Sequence, residues 1–255
     1  MDRPTALITG GAARIGAAIV RAFADAGWHL VIHYRGSDAE ARALAEQLPS
    51  AEIVQCDLAD GEAAVAMIEQ LSARLTDWRV LVNNASIFLY DSATELQPAT
   101  NKLAMQINAE TPARMAQAFL THARARGGRR VIHITDQKLE NPNPDFFSYT
   151  MSKHALAATI PMLAMGAARP HDRVYGLAPG AILASHDQTE DEIEFSHRLN
   201  PLRRKTGADE VAAAVLLLAE GHLRSGETIF VDSGQHLLSQ PRDVIWLARA
   251  IAGRA

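Results

Sequence analysis

The sequence predicts a single α/β domain, a doubly wound parallel sheet of seven strands covered by helices on both faces. Three observations carry that expectation. From Ala6 to Val244, short β-branched runs alternate with longer alanine-rich stretches of helical period, the pattern of repeated βαβ units. Several short runs are apolar without interruption, Val80-Leu81-Val82 among them, as expected of strands buried on both sides. The 255 residues are 48% apolar, 21% charged and only 5% aromatic, which suits one large core of small aliphatic side chains.

Taken in order, the strands are expected at Ala6–Thr9, Leu30–Tyr34, Glu52–Cys56, Val80–Asn83, Val131–Thr135, Arg173–Ala178 and Thr228–Val231. The segments between them carry apolar stripes at helical spacing: Ile15, Ile19, Ala22 and Phe23 in the first, Val211, Val215 and Leu218 in the last. Seven strands and six crossovers use nearly the whole chain. No linker, composition shift or repeat divides it, so residues 1–255 read as one unit. Beyond the last strand, a proline at 241 and apolar residues at 244, 245, 247, 248 and 251 predict a tail helix around 240–252. It is expected to pack on its own subunit or, through Trp246, on a neighbour.

Charge excludes some function classes. Lys and Arg total 25 against 29 Asp and Glu, a formal net charge of −4, so no global field attracts phosphate backbones or anionic membranes. Arg124, Arg126, Arg129 and Arg130 flank Gly127-Gly128 at a helix end, where cations cap the negative dipole; a helix cap is expected there, not a nucleic-acid patch. The acidic run Asp187–Glu194 should begin a solvated helix, placed where a lid would sit. No apolar run reaches the roughly 18 residues of a membrane span. The opening MDRPTALITGG lacks the layout of a secretory signal. The single cysteine, Cys56, cannot form an internal disulfide and should pack as a small hydrophobe. A cytoplasmic setting is expected. The ten histidines form no HxH, HExxH or Cys/His cluster, so no metal site is expected.

Directly after the first strand comes Thr9-Gly10-Gly11-Ala12-Ala13-Arg14-Ile15-Gly16, opening a helix. Glycines at such a turn let the backbone approach a pyrophosphate, whose charge then sits over the helix N-terminus. Many strand-to-helix turns use glycine for its positive φ. Its place at the first βα junction is what points to a Rossmann-type dinucleotide site with Gly10, Arg14, Ile15 and Gly16. The second strand sets the cofactor. A fold preferring NAD places Asp or Glu about 20 residues past the glycines for the ribose hydroxyls, whereas Arg there accommodates a 2′-phosphate. Here the strand closes His33-Tyr34-Arg35-Gly36-Ser37, with no carboxylate until Asp38. Arg35, assisted by Arg14, His33 and Ser37, offers charge-assisted hydrogen bonds to a phosphate. The expected cofactor is NADPH.

Further along stand Asp57-Leu58 after the third strand, Asn83-Asn84-Ala85-Ser86 after the fourth, Asn108, Tyr149-Thr150-Met151-Ser152-Lys153, and Pro179-Gly180 after the sixth. With these motifs in this order, the chain resembles the short-chain dehydrogenase/reductase family over almost its whole length. The resemblance implies that Tyr149 donates or accepts the proton, that Lys153 binds the nicotinamide ribose and lowers the tyrosine's pKa, and that Asn108 supports a water relay. It also implies that Asp57, Leu58, Asn84, Ala85, Ser86, Pro179 and Gly180 join the cofactor site and that the chain forms a homotetramer. The chemistry is reasonable, since a lysine cation one helical turn from a tyrosine favours the phenolate.

Departures from the general family pattern narrow the resemblance. Arg14 stands where the glycine loop usually has its middle glycine, Ser86 replaces the usual glycine of NNAG, and Asp136 occupies the position of the catalytic serine. Together with His33-Tyr34, Ser37, Phe88 and YTMSK, these resemble the pteridine and dihydromonapterin reductases. The resemblance then implies a pterin-like substrate stacked on Phe88, with Asp136, Tyr149 and Lys153 relaying protons. A physical reason accompanies it. A serine hydroxyl can donate to a carbonyl oxygen that becomes an alkoxide, whereas an ionised carboxylate would repel that charge. Asp136 therefore suits a substrate offering N–H groups or a ring nitrogen awaiting a proton. Bland readings stand beside these: Asp136 capping the following loop, and Phe88 as core packing. Two other functions stay open, an NADPH-dependent reductase of another carbonyl or imine and a non-catalytic NADPH-binding regulator.

Overall fold

The computed structural model describes residues 3–166, 169–182, 189–251 and 253. β1 (Thr5–Ile8) leads through the glycine loop into α1 (Arg14–Asp25), and β2 (His29–Tyr34), α2 (Asp38–Glu46), β3 (Ala51–Gln55), α3 (Gly61–Arg74) and β4 (Trp78–Asn83) follow. After them come α4 (Pro98–Met105), a π-helical turn (Gln106–Glu110), α5 (Thr111–His122), β5 (Arg130–Ile134) and a 3-10 turn (Gln137–Leu139). The remainder is α6 (Phe147–Gly166), β6 (Arg173–Pro179), α7 (Glu190–His197), α8 (Ala208–Glu220), β7 (Thr228–Val231) and α9 (Val244–Ile251). Each predicted strand is present, with its ends within two residues of expectation.

The sheet order is β3-β2-β1-β4-β5-β6-β7, with every pairing parallel. Alternation along each strand divides the core into two layers. Ala6, Ile8, Leu30, Ile32, Val80 and Val82 face the layer with Ile19 and Phe23 of α1 and Val211, Val215 and Leu218 of α8. Leu7, Val31 and Leu81 face the other, with Ile68 and Leu71 of α3 and Met115 and Phe119 of α5. Trp78 meets Phe119 edge-on there, with ring centroids 4.8 Å apart. Cys56 is buried in the same layer, and burial raises its thiol pKa.

Within the arginine cluster, the expected cap on α5 is made from a buried position. Arg129 is fully buried; its guanidinium pairs with Asp172 through Nη2 at 2.5 Å and donates to the Leu120 carbonyl in the last turn of α5. Arg130 donates to the His171 carbonyl at 2.6 Å. A surface-charge argument could not foresee this, because Asp172 lies beyond the intervening helix in sequence.

The acidic run also differs from a fully solvated helix. α7 starts under a capping box, in which Thr189 Oγ1 accepts from the Glu192 amide and Glu192 Oε2 accepts from the Thr189 amide. Glu192 is nonetheless buried. The lid expectation for 187–194 falls partly on 187 and 188, outside the described residues. The tail helix is shorter than predicted, beginning at Val244 after Asp243 Oδ1 accepts from the Ile245 amide. Trp246 packs within its own chain, edge-on to Tyr90 at 5.6 Å and beneath Arg249 at 5.0 Å. Among the described residues, no helix is long and apolar enough to cross a membrane.

Candidate active site

The strand order reverses between β1 and β4, and a crevice opens at the carboxyl ends of the strands beside that switch. The cleft measures about 660 Å³. It gathers Gly10, Arg14 and Ile15 from the first loop, His33, Tyr34, Arg35 and Ser37 from β2 and the turn after it, and Asp57 and Leu58 from the turn after β3. Asn84, Ala85, Ser86 and Phe88, then Asp136, Tyr149 and Lys153, then Pro179 and Gly180 complete the predicted set on its wall. Two predicted residues, Gly16 and Asn108, are not on that wall, and both support it from behind.

The first loop is held by hydrogen bonds that leave little freedom. Gly10 adopts φ +61°, and a Cβ on Gly16 would lie 2.1 Å from the Gly10 carbonyl oxygen, so Gly16 lets α1 start against the loop. Thr9 Oγ1 accepts from the Asn84 and Ala85 amides at 2.9 and 3.0 Å, and Asn84 Nδ2 donates to the Thr9 carbonyl at 2.8 Å. Asn84 thus fastens the turn after β4 to the glycine loop.

His33 departs from its expected part as a phosphate cation. The Gly10 amide donates to its Nδ1 and its Nε2 donates to the Cys56 carbonyl, both at 3.1 Å. Burial holds its pKa down to about 4, so the ring is a neutral strut. The cations remain at the rim. Arg35 and Arg14 are exposed, and among the described residues no carboxylate pairs with Arg35. Asp38, the first carboxylate past β2, accepts from Tyr34 Oη at 2.5 Å and Arg42 Nε at 2.7 Å. It is already engaged, which leaves this end of the cleft to positive charge.

At the other end, Asp136 caps the following turn and also meets Tyr149. Its Oδ1 accepts from the Lys138 amide at 2.9 Å, capping the 3-10 turn, while Oδ2 accepts from Tyr149 Oη at 2.7 Å. Burial raises the Asp136 pKa, against the opposing pull of Lys138 and Lys153. Burial and then the Asp136 charge push the Tyr149 phenol well above its ordinary value. This corrects the expectation that Lys153 favours a phenolate. Lys153 Nζ donates to the Ile134 carbonyl at 2.8 Å and sits 5.6 Å from the tyrosine ring centroid, and its own burial lowers its pKa to about 8.

Asn108 lies in the π-helical turn, a feature often found beside functional sites. Its Oδ1 accepts from the Ile87 amide at 2.8 Å, and its Nδ2 donates to the Ile87 carbonyl and to Ser152 Oγ, both at 3.0 Å. It joins the segment carrying Phe88 to the helix carrying Tyr149.

Phe88 is 40% exposed and lines the cleft, so it is not simple core packing. One contact is a stack on Phe146, with centroids 3.9 Å apart at 20°, and another is edge-on to Tyr149 at 4.7 Å. Sequence reasoning missed Phe146, Lys138 and Asp243. Lys138 and Asp243 form an ion pair of 2.6 Å on the cleft wall, each side chain only 6% exposed. Lys138's place two residues after Asp136 was the available signal; nothing local marks Asp243. His154 is exposed on α6. Among the described residues, no group of three or more His, Cys, Asp or Glu side chains is placed to hold a metal ion.

Comparison with known proteins agrees with this architecture. Residues 10–236 match the family model described as enoyl-(acyl carrier protein) reductase. The solved structure of FolM alternative dihydrofolate reductase 1 from Brucella canis, complexed with NADP, superposes with a TM-score of 0.86 at 34% identity, covering 94% of this chain and 96% of that one. Pteridine reductase 1 of Leishmania tarentolae is 30% identical over 92% of this chain and 96% of its own length. Dihydromonapterin reductase of Citrobacter koseri is 29% identical over 91% and 96%. The matched span runs from Gly10 of the glycine loop through the YTMSK helix, and the chain belongs to the short-chain dehydrogenase/reductase family of oxidoreductases.

Proposed function

We propose that the protein is an NADPH-dependent reductase of a pterin or dihydropterin. The observation that carries this reading is the hydrogen bond from Tyr149 to the Asp136 carboxylate, at the position where an alcohol-forming relative would present a serine hydroxyl. A carboxylate facing the reacting atoms disfavours a nascent alkoxide and favours N–H groups. The pteridine and dihydromonapterin reductases among the relatives, and the NADP bound by the Brucella protein, support it.

The residues present fit the cofactor. The glycine loop admits a close pyrophosphate because Gly10 has no side chain and a positive φ. Arg35, exposed and without a carboxylate partner among the described residues, would take the 2′-phosphate, with Arg14 and Ser37 nearby. Lys153 would hold the nicotinamide ribose. The nicotinamide supplies a hydride from C4 when bound. Tyr149 is held protonated by burial and by its bond to Asp136, so it is placed to give its proton to a ring nitrogen. Asp136 then holds the N–H edge, and Phe88 offers an exposed ring face for stacking. Assembly as a homotetramer in the cytoplasm belongs to the same reading; size-exclusion chromatography with light scattering checks the first part, and a monomer would contradict it.

Purified protein should oxidise NADPH with dihydropterins at a kcat/KM at least about tenfold above that for a panel of ketones and imines. A preference for simple ketones would replace this reading with a carbonyl reductase, and NADPH binding without any turnover would point to a non-catalytic regulator.

A further inference from the structure

We propose that His33 is a positioning residue for the cofactor, its ring cross-linking the glycine loop to the turn after β3 so that the two turns meet one dinucleotide at a fixed spacing. The inference rests on the NADPH reading above, and it gives a different task to a side chain whose place in the sequence suggests a phosphate cation. β2, which carries His33, lies between β1 and β3 in the sheet. The glycine loop leaves from one neighbour, and the turn with Asp57 and Leu58 leaves from the other.

Main-chain bonds tie each turn to β2 separately: the Gly11 amide donates to the His33 carbonyl at 2.9 Å, and the Cys56 amide to the Tyr34 carbonyl at 3.1 Å. The imidazole ties the turns to each other. It accepts from the Gly10 amide at Nδ1 and donates to the Cys56 carbonyl from Nε2, both at 3.1 Å. Gly10 is also packed against the turn after β4, where an added Cβ would lie 3.2 Å from Ala85 Cα. A shift of Gly10 therefore disturbs three turns of the cleft at once.

The residue type fits this task better than phosphate binding. The side chain is only 2% exposed and both ring nitrogens are engaged, so neither is left for a phosphate. Burial holds the pKa down to about 4, and Nδ1 keeps the lone pair that the Gly10 amide needs. An aliphatic side chain would fill the space but leave the amide and the carbonyl unmatched. Lysine or arginine would offer the amide no acceptor.

The test measures binding of NADPH and NADH by nicotinamide fluorescence, well below every variant's melting temperature. His33→Asn places an amide oxygen near the Nδ1 position and keeps the bond to Gly10, whereas His33→Gln places an amide nitrogen near Nε2 and keeps only the bond to Cys56. His33→Phe keeps neither. The Gln and Phe variants should each bind both cofactors about tenfold more weakly, the size of a lost hydrogen bond, with the NADPH-to-NADH affinity ratio within about twofold of wild type. The Asn variant should stay within about threefold of wild type for both cofactors. Wild-type affinity in the Gln variant overturns the proposal, as does a Gln variant that binds as tightly as the Asn one. A loss confined to NADPH overturns it too, because His33 would then be a 2′-phosphate contact. The Asn and Gln comparison decides the matter even if the Phe variant does not fold. Wild-type protein that binds neither nucleotide would overturn the cofactor reading, and this proposal with it.

Discussion

At the scale of single residues, the proposed function gives Arg35 the choice of cofactor. Arg35→Asp should lower the NADPH over NADH ratio of kcat/KM by about 10- to 100-fold, because a charge-assisted contact is replaced by repulsion. A variant that keeps its preference would move the 2′-phosphate site elsewhere. Asp136→Ser should reduce dihydropterin kcat/KM by about 100-fold, the size of a general acid–base contribution; unchanged turnover would leave Asp136 as a loop cap only. The pH profile follows from Lys153. Its cation is present below about 8 and lost above it, so kcat/KM should fall as pH rises through about 8, and a rate that rises there would contradict its role. At this scale, motif order revealed Arg35, Asp136, Tyr149 and Lys153, each displayed by a short local pattern. Spacing could not give protonation. That the Tyr149 phenol is pushed above its ordinary pKa depends on burial and on Asp136, and that His33 is neutral depends on its burial, against the opposing pull of the Cys56 carbonyl.

The glycine loop and its supports act as one piece. Gly16→Ala would put a methyl group against the Gly10 carbonyl, with backbone rather than a flexible side chain in the way. The variant should bind NADP+ at least about tenfold more weakly and melt at a lower temperature, measured by calorimetry and circular dichroism; wild-type affinity would show that the loop can shift at little cost. The strands were legible because β-branched runs buried on both faces have no competing reading, as at Val80-Leu81-Val82. The tail was legible only as an amphipathic helix. Its closure over the cleft depends on Arg242, Asp243 and Asp145 meeting across 97 or 98 residues of sequence, and no local pattern encodes such a pairing.

Among the described residues, His33 and His133 are buried, and burial holds their pKa values to about 4 and about 3. In the unfolded chain both take up a proton near pH 6.5, while the folded protein refuses it until much lower pH. The unfolded state thus binds more protons in this window, and stability must fall as pH drops from about 6.5 towards 4. The two groups together contribute a slope of up to about 2.7 kcal/mol per pH unit. Denaturant midpoints measured across that range should show it, with a shallower slope in His133→Gln; a flat profile would mean the histidines are protonated in the native state. The order of the sheet places Arg35 and Tyr149 on one cleft, so under the proposed function hydride and proton reach the same bound ring. The most direct measurement is a single turnover with NADPH deuterated at the transferable position of C4 and a dihydropterin, with mass analysis of the product. Deuterium bound to carbon in the tetrahydropterin, and its near absence with Tyr149→Phe, is the predicted result. NADPH consumed without label in the pterin would contradict the account.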